Sequence, residues 1–421
     1  MHIREHPPAG LALQIRRNRP SQPLCKSVYT TPDRAIELRM PRATEHTAAK
    51  PRSPIKPPER CPACNSRRVA PRGSRAKKLE TVRLYRCGAC RRTFTPGPRA
   101  LRNKTYPLHE ILDALSTYNR GYTLEETSRR LSSRHGHTIN PATISRWLAA
   151  HPGLTTYRRL RERGLKLFTP PQLIRTTKLY HRQVYEYALH RAKLNFVRAG
   201  TLDDRRRGDM RFAPLADFLE RAHRDCPHQL FCREDGARGS QLAPGFLALD
   251  RLEVHEKQNT ATDTAALIIP GVSSNYDRHS RLQRFMLIND STTVAVEVPI
   301  FLLEEDIAAL EDYYDVTIIP KEPIHRARPA LGHKPRFITG HIDFLQVRNG
   351  AIHILDYKPD ARTNKPIAQL AIYCLALTRL VSGLALADMR CASFNESCYN
   401  EFAPGRLFQS RSEKRFFADY F

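Results

Sequence analysis

The chain has 421 residues, enough for two or three domains with buried cores. Its 69 Lys and Arg against 42 Asp and Glu give a formal charge of +27, which points to a polyanionic partner, most simply nucleic acid, without separating DNA from RNA or from a merely solvated basic surface. No run of about 18 apolar residues marks a membrane span, and the opening MHIREHPPAG lacks the apolar core of a secretory signal. The expectation is a cytoplasmic protein without membrane contact, whose ten cysteines are thiols or ligands rather than disulfides.

Residues 1–59, rich in Pro, Arg and Thr and without periodicity, read as a disordered basic arm. A module over 60–105 follows. Cys61, Cys64, Cys87 and Cys90 form two CxxC pairs separated by 22 residues, the spacing of a structural four-cysteine zinc site in a module too small to fold without metal; a redox pair is the rival reading. From Cys61 to Thr105 there are 13 Lys and Arg and one acid, Glu80, so Arg91, Arg92 and their neighbours are expected to meet phosphates.

Three helical patterns fill 106–151: Leu108–Tyr118 by its apolar spacing, a second opened by the capping box of Thr123 and Glu126, and a third opened by Asn140 and Pro141. With Gly121 and Gly136 at the joints they read as a helix-turn-helix, with Thr143 and Arg146 facing a DNA major groove and Ile144, Trp147 and Leu148 facing inward. The region 152–248 is expected to be a basic linker and helical segment: a linker over 151–171, one long helix over Gln172–Val197, then loops. Between Arg158 and Arg211 it carries 15 Lys and Arg and 5 acids, either a further nucleic-acid surface or a solvated face.

A last domain is expected over 249–421. Arg281–Ile288, Thr293–Leu303 and Val316–Ile319 read as strands and Glu304–Tyr314 as a helix. Ile342, Phe344, Leu345 and Val347 mark a strand, Asn349 and Gly350 a hairpin turn, and Ala351–Tyr357 the returning strand. Asp343 lies in the first strand, while Asp356 and Lys358 end the second on one face. Two carboxylates and a lysine at one strand end are costly unless the charge is used, and hard oxygen ligands suit Mg²⁺ or Mn²⁺; the bland alternative is a solvated Lys–Asp pair. Glu297, mid-strand among valines, is a buried carboxylate that must be paired or on a metal. His255 is a weaker candidate ligand.

The order Gly340-x-x-Asp343, then Leu355-Asp356-Tyr357-Lys358, then Gln369-x-x-x-Tyr373 resembles the PD-(D/E)xK nucleases, specifically their RecB-type branch, over about residues 250–400. The resemblance implies an α/β restriction-endonuclease-like core, a mixed sheet flanked by helices, in a multidomain chain. It also implies a DNA-cleaving phosphodiester hydrolase. Asp343 and Asp356, with the Tyr357 carbonyl and Glu297, would hold Mg²⁺ or Mn²⁺; Lys358 would position the attacking water; Gln369 and Tyr373 would orient the substrate strand or the lysine. The four-cysteine module with its trailing RRTFTPG is similar to the zinc ribbons that open many insertion-sequence transposases, which suggests a mobile-element origin and a nucleoid-associated protein. Some relatives staple this domain with an iron–sulfur cluster, but Cys374, Cys391 and Cys398 depart from that spacing. Two rival readings stand beside the nuclease: a transposase or recombinase, and a DNA-binding regulator with an inactive nuclease-like fold. Oligomeric state is not legible.

Overall fold

The computed structural model describes residues 58, 60–97, 105–156, 158–202, 209–242, 252–269, 275–319 and 335–408. The arm expected over 1–59 therefore lies, apart from Pro58, outside the described residues. The described residues divide into two compact units, one built from those within 58–173 and 259–291, the other from those within 174–258 and 292–408.

The first unit begins with β1 (Val69–Ala76), β2 (Thr81–Cys87) and β3 (Thr93–Phe94), an antiparallel sheet in that order. Tyr85 on β2 pairs with Phe94 on β3, their rings 6.3 Å apart. Three helices follow: α1 (Leu108–Asn119), α2 (Leu124–His135) and α3 (Pro141–Ala150). The expected end caps are present, but Thr123 and Glu126 make only half of a capping box, because the Glu126 carboxylate takes Arg130. The Thr123 side chain accepts from the Glu126 amide, Gly136 closes α2 in the left-handed region at φ 72°, and Asn140 accepts from the Ala142 amide ahead of Pro141. Ile111 and Leu115 of α1, Leu131 of α2 and Ile144 and Trp147 of α3 close one core, each contributing about 1.5–3 kcal/mol on burial.

The segment read as a linker over 151–171 instead carries α4 (Arg158–Leu167). Arg161 lies over the Tyr118 ring at 4.0 Å and donates to the Tyr118 and Tyr122 carbonyls, which ties α4 to the trio.

The second unit opens with the largest departure from expectation. Gln172–Val197 is no single helix: β4 (Ile174–Tyr180) and β5 (Val184–His190) pair antiparallel, and only α5 (Arg191–Arg198) is helical. Burial alternates along Thr176–Tyr180, a period of two that the helix reading overlooked. This hairpin joins the large sheet, so the boundary expected near Leu249 falls inside a unit. The stretch read as loops holds α6 (Ala213–Asp225) and β6 (Ala237–Arg238) before the short β7 (His255–Glu256).

The chain then contributes α7 (Thr260–Ile268) and α8 (Asn275–Asn289) to the first unit. Arg281–Ile288, expected as a strand, lies within α8. Leu282, Phe285 and Met286 are buried at helical spacing, and Asn289 bonds Ser116 and Asn119 of α1.

Back in the second unit come β8 (Thr293–Leu302), α9 (Glu304–Tyr314), β9 (Ile338–Arg348), β10 (Ala351–Tyr357), α10 (Ile367–Leu380), β11 (Met389–Phe394) and β12 (Tyr399–Phe402). Val316–Ile319, expected as a strand, is irregular; the Glu311 carboxylate takes the Ile318 and Ile319 amides that a sheet neighbour would have taken. The sheet is mixed, in the order β4-β5-β8-β9-β10-β11-β12-β7, with β6 parallel to β9 off that path and β10 parallel to β11. Asn349 and Gly350, at φ 51° and 66°, turn β9 into β10, as a two-residue hairpin requires. Helices α5, α6, α9 and α10 pack on this sheet, and α10 is apolar almost all round because it is buried almost all round.

Candidate functional site

The four cysteines converge. Cys61 and Cys64 sit in the turn before β1, Cys87 ends β2, and Cys90 lies in the turn before β3. Cys61 Sγ is 3.6 Å from Cys90 Sγ and Cys64 Sγ is 3.5 Å from Cys87 Sγ, near the roughly 3.8 Å edge of a tetrahedral zinc–thiolate site. The Cys90 amide leads in holding the Cys87 thiol down to about 6, against the effect of its burial. At Cys64 the Ser66 amide pulls downward, but the Cys87 and Cys90 thiols and burial push the group up to about 11. Four sulfurs gathered this closely can hold a divalent ion such as zinc through four thiolate bonds.

In the second unit, the hairpin places Asp343, Asp356 and Lys358 together. The last paired residues of β9 and β10 are Phe344 and Leu355. Beyond them the strands part: β9 takes β6 as a neighbour at Ile338 and Thr339, while β10 stays on β11. Asp343 and Asp356 are the first residues past that fork, one on each strand. Asp343 Oδ2 accepts from the Tyr357 amide at 3.3 Å. Lys358 Nζ lies 3.2 Å from Asp356 Oδ1 and 3.0 Å from Oδ2, but only the Oδ1 contact is aligned, so Oδ2 is buried without a hydrogen bond.

α10 supplies the remaining two groups. Gln369 and Tyr373 are one helical turn apart. Gln369 Nε2 donates to Asp356 Oδ1 at 3.4 Å and to the Tyr373 hydroxyl at 3.2 Å. The Tyr373 ring fits because two glycines face it. A Cβ at Gly340 would lie 2.4 Å from the ring and 2.8 Å from the hydroxyl, and one at Gly239 would lie 2.7 Å from the ring. Gly340 is thus the space into which the tyrosine packs.

Burial, then the neighbouring Asp343 charge, pushes the Asp356 carboxyl up to about 8, although Lys358 pulls the other way. Burial alone would lower Lys358, but Asp356 and Asp343 outweigh it and keep the ammonium charged. Burial and the same two carboxylates raise the Tyr373 phenol, which stays protonated.

Glu297 is half-buried on β8, and the register that pairs Val296 with Phe344 and Val298 with Ile342 sets it opposite Asp343. Carboxylate oxygens of the two residues lie within 4.8 Å of each other. Glu297 has φ 52°, a left-handed backbone inside a strand, which costs about 1–2 kcal/mol. His255 is not part of this group. It is exposed on β7, four strands from β9 in the sheet order, with Glu253 at 3.6 Å.

Three histidines beside this site had no local signal in the sequence. His341, two residues before Asp343 on β9, has Nε2 2.8 Å from His181 Nδ1; His181 Nε2 is 2.9 Å from His228 Nδ1; His228 Nε2 is 3.0 Å from the His223 carbonyl. A carbonyl can only accept, so the hydrogen lies on Nε2 of each neutral ring in turn, leaving His341 Nδ1 without one. Burial, then His228, pushes His181 down to about 3; burial, then His181, holds His341 well below its ordinary value. Tyr185 stacks on His341 at 3.7 Å and Arg238 donates to its hydroxyl at 2.5 Å.

Of the residues expected to meet nucleic acid, Arg146 is exposed on α3 and donates to Thr143 Oγ1 at 3.1 Å. Arg91 lines a shallow groove of about 450 Å³ with Arg67, Arg68 and Arg86, which the sequence did not distinguish from other basic residues. Arg92 is exposed but lies outside that lining.

Neither a family model, a curated protein nor a solved structure matches the chain. Among the described residues no helix is long and apolar enough to cross a membrane.

Proposed function

We propose that this chain is a DNA-directed, divalent-metal-dependent phosphodiesterase whose mixed-sheet unit is a restriction-endonuclease-like nuclease core. The observation that carries the reading is the convergence of Asp343, Asp356, Lys358, Gln369 and Tyr373, from two strands and a helix, at the fork of β9 and β10. Directly opposed carboxylates destabilise a sheet, and a cation between them removes that cost. The buried Asp356 Oδ2 without a hydrogen bond, together with the hard oxygen donors around it, fits Mg²⁺ or Mn²⁺.

Asp343, Asp356, the Tyr357 carbonyl and Glu297 would hold that ion, which when bound polarises a phosphate and lowers the pKa of water. Lys358 keeps its positive charge beside Asp356, where it neutralises charge developing on the phosphate and orients the attacking water. Gln369 bridges Asp356 and Tyr373, fixing the carboxylate that would otherwise swing towards the lysine alone. In the other unit, the four cysteines would hold a zinc ion that fixes the ribbon, and its arginine groove with Arg146 and Thr143 of α3 would supply phosphate and base contacts. The cysteine knuckles and helix trio also suit a transposon-derived protein.

The test is degradation of linear and circular DNA, single- and double-stranded, in Mg²⁺ or Mn²⁺ by wild type and Lys358→Ala. Cleavage abolished by the substitution supports the reading, and the circular substrate separates endonuclease from exonuclease action. Tight, salt-sensitive binding with no cleavage of any substrate would leave a DNA-binding regulator with an inactive nuclease-like fold.

A further inference from the structure

We propose that the first unit carries a second divalent transition-metal site, of zinc type, formed by His109, Glu110 and His135. One ligand atom from each of the three lies within 4.8 Å of the others. His109 and Glu110 stand in the first turn of α1 and His135 is the last residue of α2, so the site joins two helices of the trio. Imidazole nitrogen and carboxylate oxygen are the donors borderline ions take, and three protein ligands leave a fourth position for water or a neighbour.

Two observations mark these residues as more than a solvated patch. Glu110 is buried, with 5% of its side chain exposed. Its hydrogen-bond partner is His137, brought back by the left-handed turn at Gly136, with Nε2 3.0 Å from Glu110 Oε2. His135 Nε2 is also buried and makes no hydrogen bond; Asp113 Oδ2 is 3.3 Å away but not aligned with it. A buried ring nitrogen held only by an off-line ion pair, on a ring within 4.8 Å reach of a buried carboxylate, is an arrangement a cation can complete. Asp113 is already paired with Arg134, 3.3 Å away, so Glu110 is the carboxylate that a bound cation would balance. Zn–N and Zn–O bonds of about 2.0–2.2 Å set tetrahedral ligand atoms about 3.4 Å apart, so the ion would draw together atoms that already lie within 4.8 Å. The metal would pin the start of α1 to the end of α2 and so fix the frame that carries α3.

The experiment is zinc content of the full-length chain after equilibration with excess zinc and desalting, for wild type, His109→Ala, His135→Ala, Glu110→Gln and the pair Cys61→Ser with Cys64→Ser. Comparing variants cancels any zinc held at the carboxylates of the sheet unit. Wild type is expected to hold one zinc more than His109→Ala and His135→Ala. Glu110→Gln, which keeps its shape and its bond to His137, is expected to weaken that zinc by roughly tenfold or more. Circular dichroism in chelator should be the same for wild type and Glu110→Gln, which separates lost ligation from lost folding. Loaded with cobalt(II), the cysteine pair variant should lose the thiolate charge-transfer band and keep visible bands that vanish when His135→Ala is added. Equal zinc in wild type, His109→Ala and Glu110→Gln, or a cobalt spectrum abolished by the cysteine substitutions alone, would overturn the proposal and leave two histidine–carboxylate ion pairs.

Discussion

At Asp356 a carboxylate with 2% of its surface exposed faces Asp343 across the fork and Lys358 along its own strand. Its folded pKa, about 8, lies above the ordinary 3.8, so the metal-free fold keeps a proton that the unfolded chain has released. The resulting stabilisation is complete below about pH 4 and is lost as pH rises towards 8. A metal must displace the same proton. Mg²⁺ affinity is therefore expected to rise by up to about tenfold per pH unit from pH 6 to 8 and then level off, as measured by titration calorimetry. An affinity flat across that range would show that Asp356 does not titrate with metal binding. Glu297 poses a different question, because its left-handed φ of 52° would be relieved by glycine and not by alanine. Glu297→Gly should be more stable than Glu297→Ala by about 1 kcal/mol in urea unfolding, with both impaired in cleavage. Alanine as the more stable variant would remove strain from the account.

The elements that build the site were largely legible because their signals are local. Asn349 and Gly350 turn with positive φ, Asp356 lies at the end of the strand with Lys358 just past it, and Gln369 and Tyr373 share a helical face. Thr123 and Asn140 likewise mark the ends that they cap. Illegible were the places where a short apolar run fits either period. Arg281–Ile288 reads as a strand until Asn289 is seen bonding α1, and β4–β5 reads as a helix until the sheet supplies its partners. The histidine chain joins three separate segments, so no spacing could have announced it. Gly340 gives the most direct test of how these elements interlock. Gly340→Ala puts a methyl 2.4 Å from the Tyr373 ring and should force α10 or the ring aside, costing about 1–3 kcal/mol. Cleavage should fall with it through the loss of the Gln369–Tyr373 bond. A variant with unchanged stability and unchanged cleavage would separate that packing from the site.

Taken whole, the chain divides its chemistry between two units: a sheet with a lysine and opposed carboxylates, and a basic ribbon with a helix trio. In the proposed function the charge of +27 would serve binding, and the fork of β9 and β10 would serve cleavage. That division makes the two activities separable by one substitution. The most direct measurement is cleavage and affinity on the same labelled DNA, in Mg²⁺ and across a salt series, for wild type and Asp356→Ala. The account predicts at least a roughly thousandfold loss of cleavage in Asp356→Ala, with an affinity and a salt slope close to those of wild type. Cleavage that persists in Asp356→Ala, or a wild type that binds DNA and never cuts it, would contradict it.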